Sequence, residues 1–135
     1  MSSFHSLRVS NIDKLTSKAV IVSFEIPPTL MGDFNFMAGQ YISLQTQIAG
    51  SQVRRSYSIC SVPQSGVLQV GIKQVPEGVF STYATQQLAV GYFLEVSVPE
   101  GRFTLAPELN ESTIVGIAAG SGITPIMSII KSVLQ

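Results

Sequence analysis

Alternating apolar residues over most of the chain restrict it to a fold built from short β-strands. From Ala19 to Ile26 every second residue is apolar, which places four apolar side chains on one strand face, and Pro27 ends the run. Similar runs occupy Phe4–Val9, Tyr41–Thr46, Val53–Ile59, Val67–Val75, Phe93–Val98 and, as a last short one, Gly101–Leu105. Strands at roughly 8–12-residue spacing with Gly and Pro turns between them are typical of an antiparallel sandwich or barrel.

One segment in the middle of the chain departs from this alternation. Residues from Gly78 to Leu88 lack a two-residue period, and Gly91 follows them. This pattern predicts a short helix that ends before a glycine.

The last 23 residues follow a different pattern. Thr113–Ala119 is a continuous apolar run, as in a strand buried on both faces, and glycines at 120 and 122 break it. Thr124 then precedes Pro125 at a helix start, and apolar residues recur at helical spacing at Ile126, Ile129, Ile130, Val133 and Leu134. The pattern predicts a β-barrel domain over residues 1–108 and the first β-α unit of an α/β domain over 109–135. Because one such unit cannot bury its own strand, either a partner covers it or the chain is cut from a longer protein, and we expect the cut.

Composition excludes several classes of protein. Eight Lys and Arg balance eight Asp and Glu, and the pI near 6.5 argues against a nucleic-acid binder. Only 12% of residues are charged and the mean hydropathy is +0.36, which raises the question of a membrane span. The uncharged stretch Thr113–Ile130 is just long enough to span, but its central glycines and Pro125 break it, so we expect no membrane segment.

A single cysteine and a single histidine limit the metal and nucleophilic chemistry. Cys60 cannot form an internal disulfide, and together with His5 it cannot supply a zinc site. A catalytic triad would depend on His5, close to the chain terminus. Residues 1–20 lack the basic start and apolar core of a signal peptide, so we predict a cytoplasmic protein without a metal.

Three segments carry residues suited to a phosphorylated aromatic ligand. The first, residues 54–61, places Arg55, Tyr57 and Ser61 on one strand face. Arginine binds phosphate oxygens in bidentate fashion, and tyrosine can stack on a flat ring. The alternative is an edge strand with a solvated face.

The other two segments each place glycine at the start of a predicted helix. Residues 72–81 put Gly78 and Ser81 at the positive end of a helix dipole, which favours anions. Residues 120–125 follow a buried strand and suit a nucleotide phosphate, although the third glycine of the dinucleotide fingerprint is missing. The alternatives are an ordinary helix start for the first and a tight β-α turn for the second.

Taken together, the three segments resemble the flavin-binding domain of the ferredoxin–NADP reductase superfamily, which includes oxygenase reductases and flavohaemoglobin reductase domains. Residues 55–58 (RSYS) resemble its R-x-Y-S flavin motif, residues 72–81 its second motif, and residues 120–125 the start of its pyridine-nucleotide domain. The resemblance runs from about Phe4 to Gln135. It implies a six-stranded antiparallel Greek-key barrel with one short helix, followed by the first β-α unit of a truncated NAD(P)-binding α/β domain.

The resemblance also implies roles for individual residues. It places the flavin pyrophosphate on Arg55, the isoalloxazine ring on Tyr57, and flavin N5 beside the catalytic Ser58. Thr124 is the second implied catalytic residue, next to the flavin ring and the nicotinamide. The other implied cofactor-binding residues are Ser56, Ile72, Lys73, Val75, Gly78, Val79, Phe80, Ser81, Gly120 and Gly122; among them, Ile72 and Lys73 contact the ring or ribityl region and residues 78–81 lie under the pyrophosphate.

The implied function is an NAD(P)H-dependent reductase module that binds FAD. Its electrons would pass to an iron–sulfur domain or an oxygenase component. The chain by itself is expected to be inactive with NAD(P)H, since only the start of the nucleotide domain is present. Two alternatives are a flavin-free barrel used as a binding or adaptor module and a redox sensor at Cys60, a residue that also fits a small buried core position.

Overall fold

Six strands form one antiparallel sheet in the computed structural model, which describes residues 4–101. The strands are β1 (Phe4–Thr16), β2 (Ala19–Glu25), β3 (Tyr41–Ile48), β4 (Ser51–Ser58), β5 (Leu68–Lys73) and β6 (Phe93–Ser97), and helix α1 spans Val79–Gln86. Short 3-10 turns lie at Pro28–Leu30 and Pro63–Ser65. Hydrogen-bonded neighbours follow the order β4-β3-β6-β1-β2-β5. The predicted six-stranded antiparallel barrel with one short helix is therefore confirmed for this part of the chain.

Some predicted features lie outside the described residues. These are most of the short strand Gly101–Leu105, the domain boundary at 108, and the β-α unit of residues 109–135 with Gly120, Gly122 and Thr124.

The core lies on the inner face of the curled sheet. Val20, Val22 and Phe24 of β2 are buried, as the alternation predicts, and they pair with Ile72, Val70 and Leu68 of β5. Paired residues of an antiparallel ladder point to the same face, so each such pair adds two apolar side chains to the core.

The first strand is longer than predicted. Its alternation fades after Val9, yet β1 continues to Thr16 and pairs with β2 as far as Ala19. A bulge between Val9 and Asn11 shifts the register there. The residues beyond the bulge are mostly exposed, so backbone pairing holds this end of the hairpin without an apolar pattern to reveal it.

The two edge strands meet at one end of the sheet and separate at the other. Just past β4, Ile59 pairs with Val70 of β5, and the N–H of Cys60 donates to the carbonyl oxygen of Gln69 at 2.9 Å. Helix α1 lies against both β4 and β5. The barrel is thus closed by strand pairing at one end and covered by α1 beside it.

Among residues 4–101, no helix has the length and apolar character required to cross a lipid bilayer.

Candidate cofactor site

The two faces of β4 carry different residues of the RSYS segment. Tyr57 pairs with the buried Ile42 of β3, and Arg55 pairs with the buried Leu44, so both side chains project from the core-facing side. Ser56 projects from the other side, where its hydroxyl lies 2.9 Å from that of Ser43. The period of a strand therefore separates Ser56 from its two neighbours.

Arg55 presents an exposed guanidinium at the edge of the sheet. Its Nη1 donates to the carbonyl oxygen of Arg54 at 2.7 Å, which holds the side chain close to its own strand. A guanidinium has five N–H donors in a planar fork, so others remain to grip an anion.

Tyr57 forms a half-buried aromatic surface beside Arg55. Its ring centroid lies 5.8 Å from that of the buried Phe80 of α1, and the two rings are tilted by 41°. Burial raises the pKa of Tyr57, and the positive charge of Arg55 partly opposes that rise. The phenol is therefore neutral at physiological pH and suits an uncharged stacking surface.

The turn before α1 is held by the hydroxyl of Ser81. This hydroxyl accepts the N–H of Val75 at 3.1 Å and donates to the carbonyl oxygen of Gly78 at 3.4 Å. A Cβ at position 78 would lie 2.4 Å from Val75 Cγ2 and 2.5 Å from Ser81 Oγ, so only glycine fits. Glu77, with φ of 63°, adopts the left-handed conformation that most residues avoid. The turn is thus closely determined by its side chains.

Helix α1 opens with its positive end uncovered by any side chain of its own cap. Gly78 is the N-cap, has no side-chain capping bond, and no acidic residue lies in the first turn. The first intrahelical bond runs from the N–H of Thr82 to the carbonyl oxygen of Gly78 at 3.0 Å. The preceding N–H groups point out of the helix end, where an anion is stabilised by the dipole.

The structure brings some predicted residues together and separates others. Tyr57 reaches α1 through Phe80, which places the aromatic surface next to the turn of residues 75–81. The side chains of Ile72 and Phe80 are buried in the core, so they can meet a ligand only through their backbones. The side chains of Lys73, Val75 and Val79 are exposed, and Ser58 is half-buried at the end of β4.

Ser61 and Cys60 differ from expectation because β4 ends at Ser58. Ser61 does not continue the face of Arg55 and Tyr57: it is buried in a bend, where its hydroxyl donates to the carbonyl oxygen of Val67 at 2.7 Å. Cys60 is half-buried where full burial was expected.

Two residues that fix α1 had no signal in the sequence. The hydroxyl of Thr85 lies 3.0 Å from Gln74 Oε1, and the N–H of Gln74 donates to the carbonyl oxygen of Lys18 at 2.7 Å. These bonds connect α1 to β5 and to the β1–β2 hairpin. Gln74 lies within the 72–81 segment but had no role assigned there, and Thr85 belongs to no motif, so only the folded arrangement reveals their contact.

The donor set fits FAD. An exposed guanidinium and an open helix N-terminus suit the two phosphates, and Gly78 is needed because Val75 and Ser81 pack against the position of its missing side chain. The half-buried ring of Tyr57 suits the flat isoalloxazine.

Comparison with known proteins supports this fit. Residues 6–105 match the family model described as the oxidoreductase FAD-binding domain. The chain belongs to this family.

Two relatives of this FAD-binding domain come from oxygenase systems. It is 39% identical over 136 residues to one component of the 1,2-phenylacetyl-CoA epoxidase of Escherichia coli (strain K12), a match that covers all of the chain and 38% of that protein. It is 34% identical over 131 residues to the ferredoxin reductase component of the 3-ketosteroid-9-alpha-monooxygenase of Rhodococcus rhodochrous, covering 95% of the chain and 36% of that protein. The FAD-binding domain therefore spans less than two-fifths of the length of these two relatives.

A solved structure shows the same fold. The flavohem-like FAD/NAD binding domain of nitric oxide dioxygenase from Vibrio cholerae O1 biovar El Tor superposes with a TM-score of 0.81 at 22% identity. The match covers 93% of this chain and 54% of that one.

Proposed function

We propose that this FAD-binding domain holds the flavin ring on Tyr57 and the pyrophosphate between Arg55 and the start of α1. One observation carries the proposal: a guanidinium and a neutral aromatic ring share one face of β4, and that ring contacts the helix whose N-terminus is open. Each of the three groups suits a different part of one FAD molecule. Ser58 ends β4 on the face opposite Tyr57, and in this arrangement its hydroxyl reaches flavin N5 around the end of the strand.

Within an oxidoreductase, the domain holds the flavin through which electrons pass from NAD(P)H to an iron–sulfur or oxygenase partner. FAD supplies the redox chemistry when bound, by taking up two electrons with a hydride and passing them on singly. The chain's own residues bind and orient: Arg55 neutralises phosphate charge, the uncapped first turn of α1 presents its backbone N–H groups to the phosphates, and Tyr57 covers one ring face. The hydroxyl of Ser58 offers a hydrogen bond at N5.

The choice of partner is supported by the two oxygenase-system relatives, and we place the protein in the cytoplasm. We further propose that residues 109–135 begin the NAD(P)-binding domain, with Gly120 and Gly122 at the nucleotide and Thr124 between nicotinamide and flavin. On this proposal the 135-residue chain binds FAD but shows little NAD(P)H-dependent reduction of an artificial acceptor.

Titration of the purified chain tests the proposal directly. We expect stoichiometric uptake of FAD, seen as a bound flavin absorption band at about 450 nm. Riboflavin, which has the ring but no phosphates, should bind far more weakly because it offers no anionic group to Arg55 or to the N-terminus of α1. A folded chain that takes up no FAD would contradict the proposal and favour the flavin-free adaptor. Equal affinity for FAD and riboflavin would contradict only the phosphate part of the proposal, the binding of the pyrophosphate by Arg55 and the start of α1.

A further inference from the structure

The first turn of α1 contributes to both ends of the proposed flavin site. Gly78, Val79 and Ser81 surround the open N-terminus, while Phe80 points the other way, into the core. Phe80 is completely buried and is among the largest fully buried side chains. Its ring centroid lies 5.8 Å from that of Tyr57 and 6.1 Å from that of Tyr83, in tilted and edge-on geometry.

Tyr57 depends on this contact for its orientation. It lies on β4, an edge strand, so a neighbouring strand on one side only, β3, restricts its rotamer. Phe80, on α1, supplies a further ring contact to Tyr57. A side chain packed against a rigid buried ring is held in one rotamer, whereas an unsupported tyrosine samples several.

We propose that Phe80 is a positioning residue that couples the phosphate end of the flavin site to its ring end. Because Phe80 belongs to the same helical turn as Val79 and Ser81, a shift of α1 moves the phosphate-binding N–H groups and the support of Tyr57 together. FAD therefore meets a site whose two ends are set by one element. This inference rests on the proposed placement of the flavin ring on Tyr57.

A matched pair of variants in the 135-residue chain tests the inference. Phe80→Leu removes the supporting ring, and Phe24→Leu makes the same change at a buried phenylalanine of β2, where the partner is Leu68. Both should lower the unfolding midpoint in urea, because each leaves a cavity in the same core. A phenol stacked on a flavin quenches its fluorescence, so the fluorescence of bound FAD reports the position of Tyr57 and not stability alone.

We expect Phe80→Leu to raise the fluorescence of bound FAD at least twofold and to weaken FAD binding about fivefold. Phe24→Leu should leave the fluorescence of bound FAD at saturation unchanged, and a titration should give the FAD affinity of the parent chain. If the two variants change fluorescence and affinity equally, Phe80 is only a core residue and the inference is wrong. If Phe80→Leu does not fold, Phe80→Met supplies a flexible unbranched side chain that adapts to the cavity without a flat ring, and it should show the same fluorescence rise.

Tyr57→Leu separates this inference from the proposed function. A large fluorescence rise in Tyr57→Leu supports the placement of the flavin on that ring. If Tyr57→Leu responds but Phe80→Leu behaves like Phe24→Leu, the placement stands and the coupling through Phe80 is wrong. If Tyr57→Leu leaves the fluorescence of bound FAD unchanged, the proposed placement is wrong, and the inference with it.

Discussion

The β2–β5 side of the barrel and the β4–α1 side solve the same closure problem differently. Residues 19–24 of β2 pair without interruption with residues 68–73 of β5, and alternate side chains form the core. Between β4 and β5, by contrast, no ladder forms within residues 4–101 beyond the Ile59–Val70 bridge, and α1 fills the opening. Strand pairing therefore satisfies the backbone N–H and C=O groups on the β2–β5 side. On the β4–α1 side, backbone groups of the edge strands are not used in a ladder within the described part of the chain.

The difference shows why polar groups can occupy a core-facing strand position here. Arg55 shares its face with Leu44, yet it stays exposed because no strand pairs with β4 on its outer side. An unpaired edge has free N–H and C=O groups that a helix end, water or ligand must satisfy. A cofactor site therefore develops where strand pairing stops, and its residues should respond to mutation differently from those of the paired side.

The largest expected effect distinguishes two neighbouring arginines. Arg55→Ala should weaken FAD binding by about 1.5–3 kcal/mol, the scale of a hydrogen bond to a charged group. Arg54 lies on the opposite face, with its guanidinium 5.7 Å from the centre of the Phe4 ring, so Arg54→Ala should leave FAD affinity unchanged. Fluorescence titration measures both. Equal losses would show that position on the strand face does not decide phosphate binding.

Two buried serines provide the next comparison. Ser81 accepts the N–H of Val75 at 3.1 Å beside α1, and Ser97 accepts the N–H of Ser43 at 2.8 Å between β6 and β3. Replacing either by Ala leaves a backbone N–H without its partner, which should lower the free energy of unfolding by about 1–3 kcal/mol.

Only the serine beside α1 should affect the ligand. We expect Ser81→Ala to weaken FAD binding about tenfold, since the turn of residues 75–78 loses its support. Ser97→Ala should bind FAD as the parent chain does. Urea unfolding and FAD titration together check this separation, which would be lost if both variants weakened FAD to the same extent.

Substitution of two residues with positive φ should increase the stability of the chain, a smaller effect than the losses expected for the serine variants and opposite in sign. Glu77 has φ of 63° beside α1, and Ala49 has φ of 51° in the β3–β4 turn. Replacing either by Gly relieves strain and should stabilise the chain by up to about 1 kcal/mol. Glu77→Gly also removes a carboxylate beside the proposed phosphate site, so FAD binding should tighten about two- to fivefold. Ala49→Gly is the control, and an equal gain in affinity there would exclude the electrostatic explanation.

The same contrast explains how much the sequence could predict. The paired side was predictable because burial of one strand face imposes alternation, as at Val20, Val22 and Phe24. The helix was predictable as a break in that alternation. The end of β1 was not, because the residues between the bulge and Thr16 are held by backbone bonds that leave no apolar pattern.

The kinds of residue in the candidate site were predictable from the sequence. Which of them bind the ligand and which only support the others was not. Arg55 and Tyr57 share a face by strand period alone, and the structure retains that arrangement. Ser61 did not follow, since a strand ends where tertiary contacts turn it and not where its period would take it. The support of Tyr57 by Phe80 joins residues 23 positions apart, a contact that no local pattern encodes.

Tyrosine ionisation gives the smallest expected effect. Burial raises the pKa of Tyr57 in the folded chain, so the neutral phenol stabilises the fold fully below about pH 10, the ordinary tyrosine value. That contribution is lost as the pH rises through the higher folded pKa, because unfolding then allows the phenol to ionise more easily. Tyr57→Phe should therefore flatten the loss of stability above about pH 10, as measured by urea unfolding at a series of pH values.

Tyr83 is the matched control, since burial and then the neighbouring Tyr92 raise its pKa as well. Tyr83→Phe should flatten the alkaline decline in the same direction. Tyr83→Phe keeps the ring that contacts Phe80 and removes only the hydroxyl, so FAD affinity near neutral pH should remain that of the parent chain. If Tyr57→Phe leaves the alkaline decline unchanged while Tyr83→Phe flattens it, the ring beside Arg55 is more solvated than the structure indicates. Tyr57 would then be exposed to solvent in the FAD-free chain and would become buried only when FAD covers it. In that case Tyr57 would resemble the unpaired β4–α1 side of the barrel rather than the paired β2–β5 side.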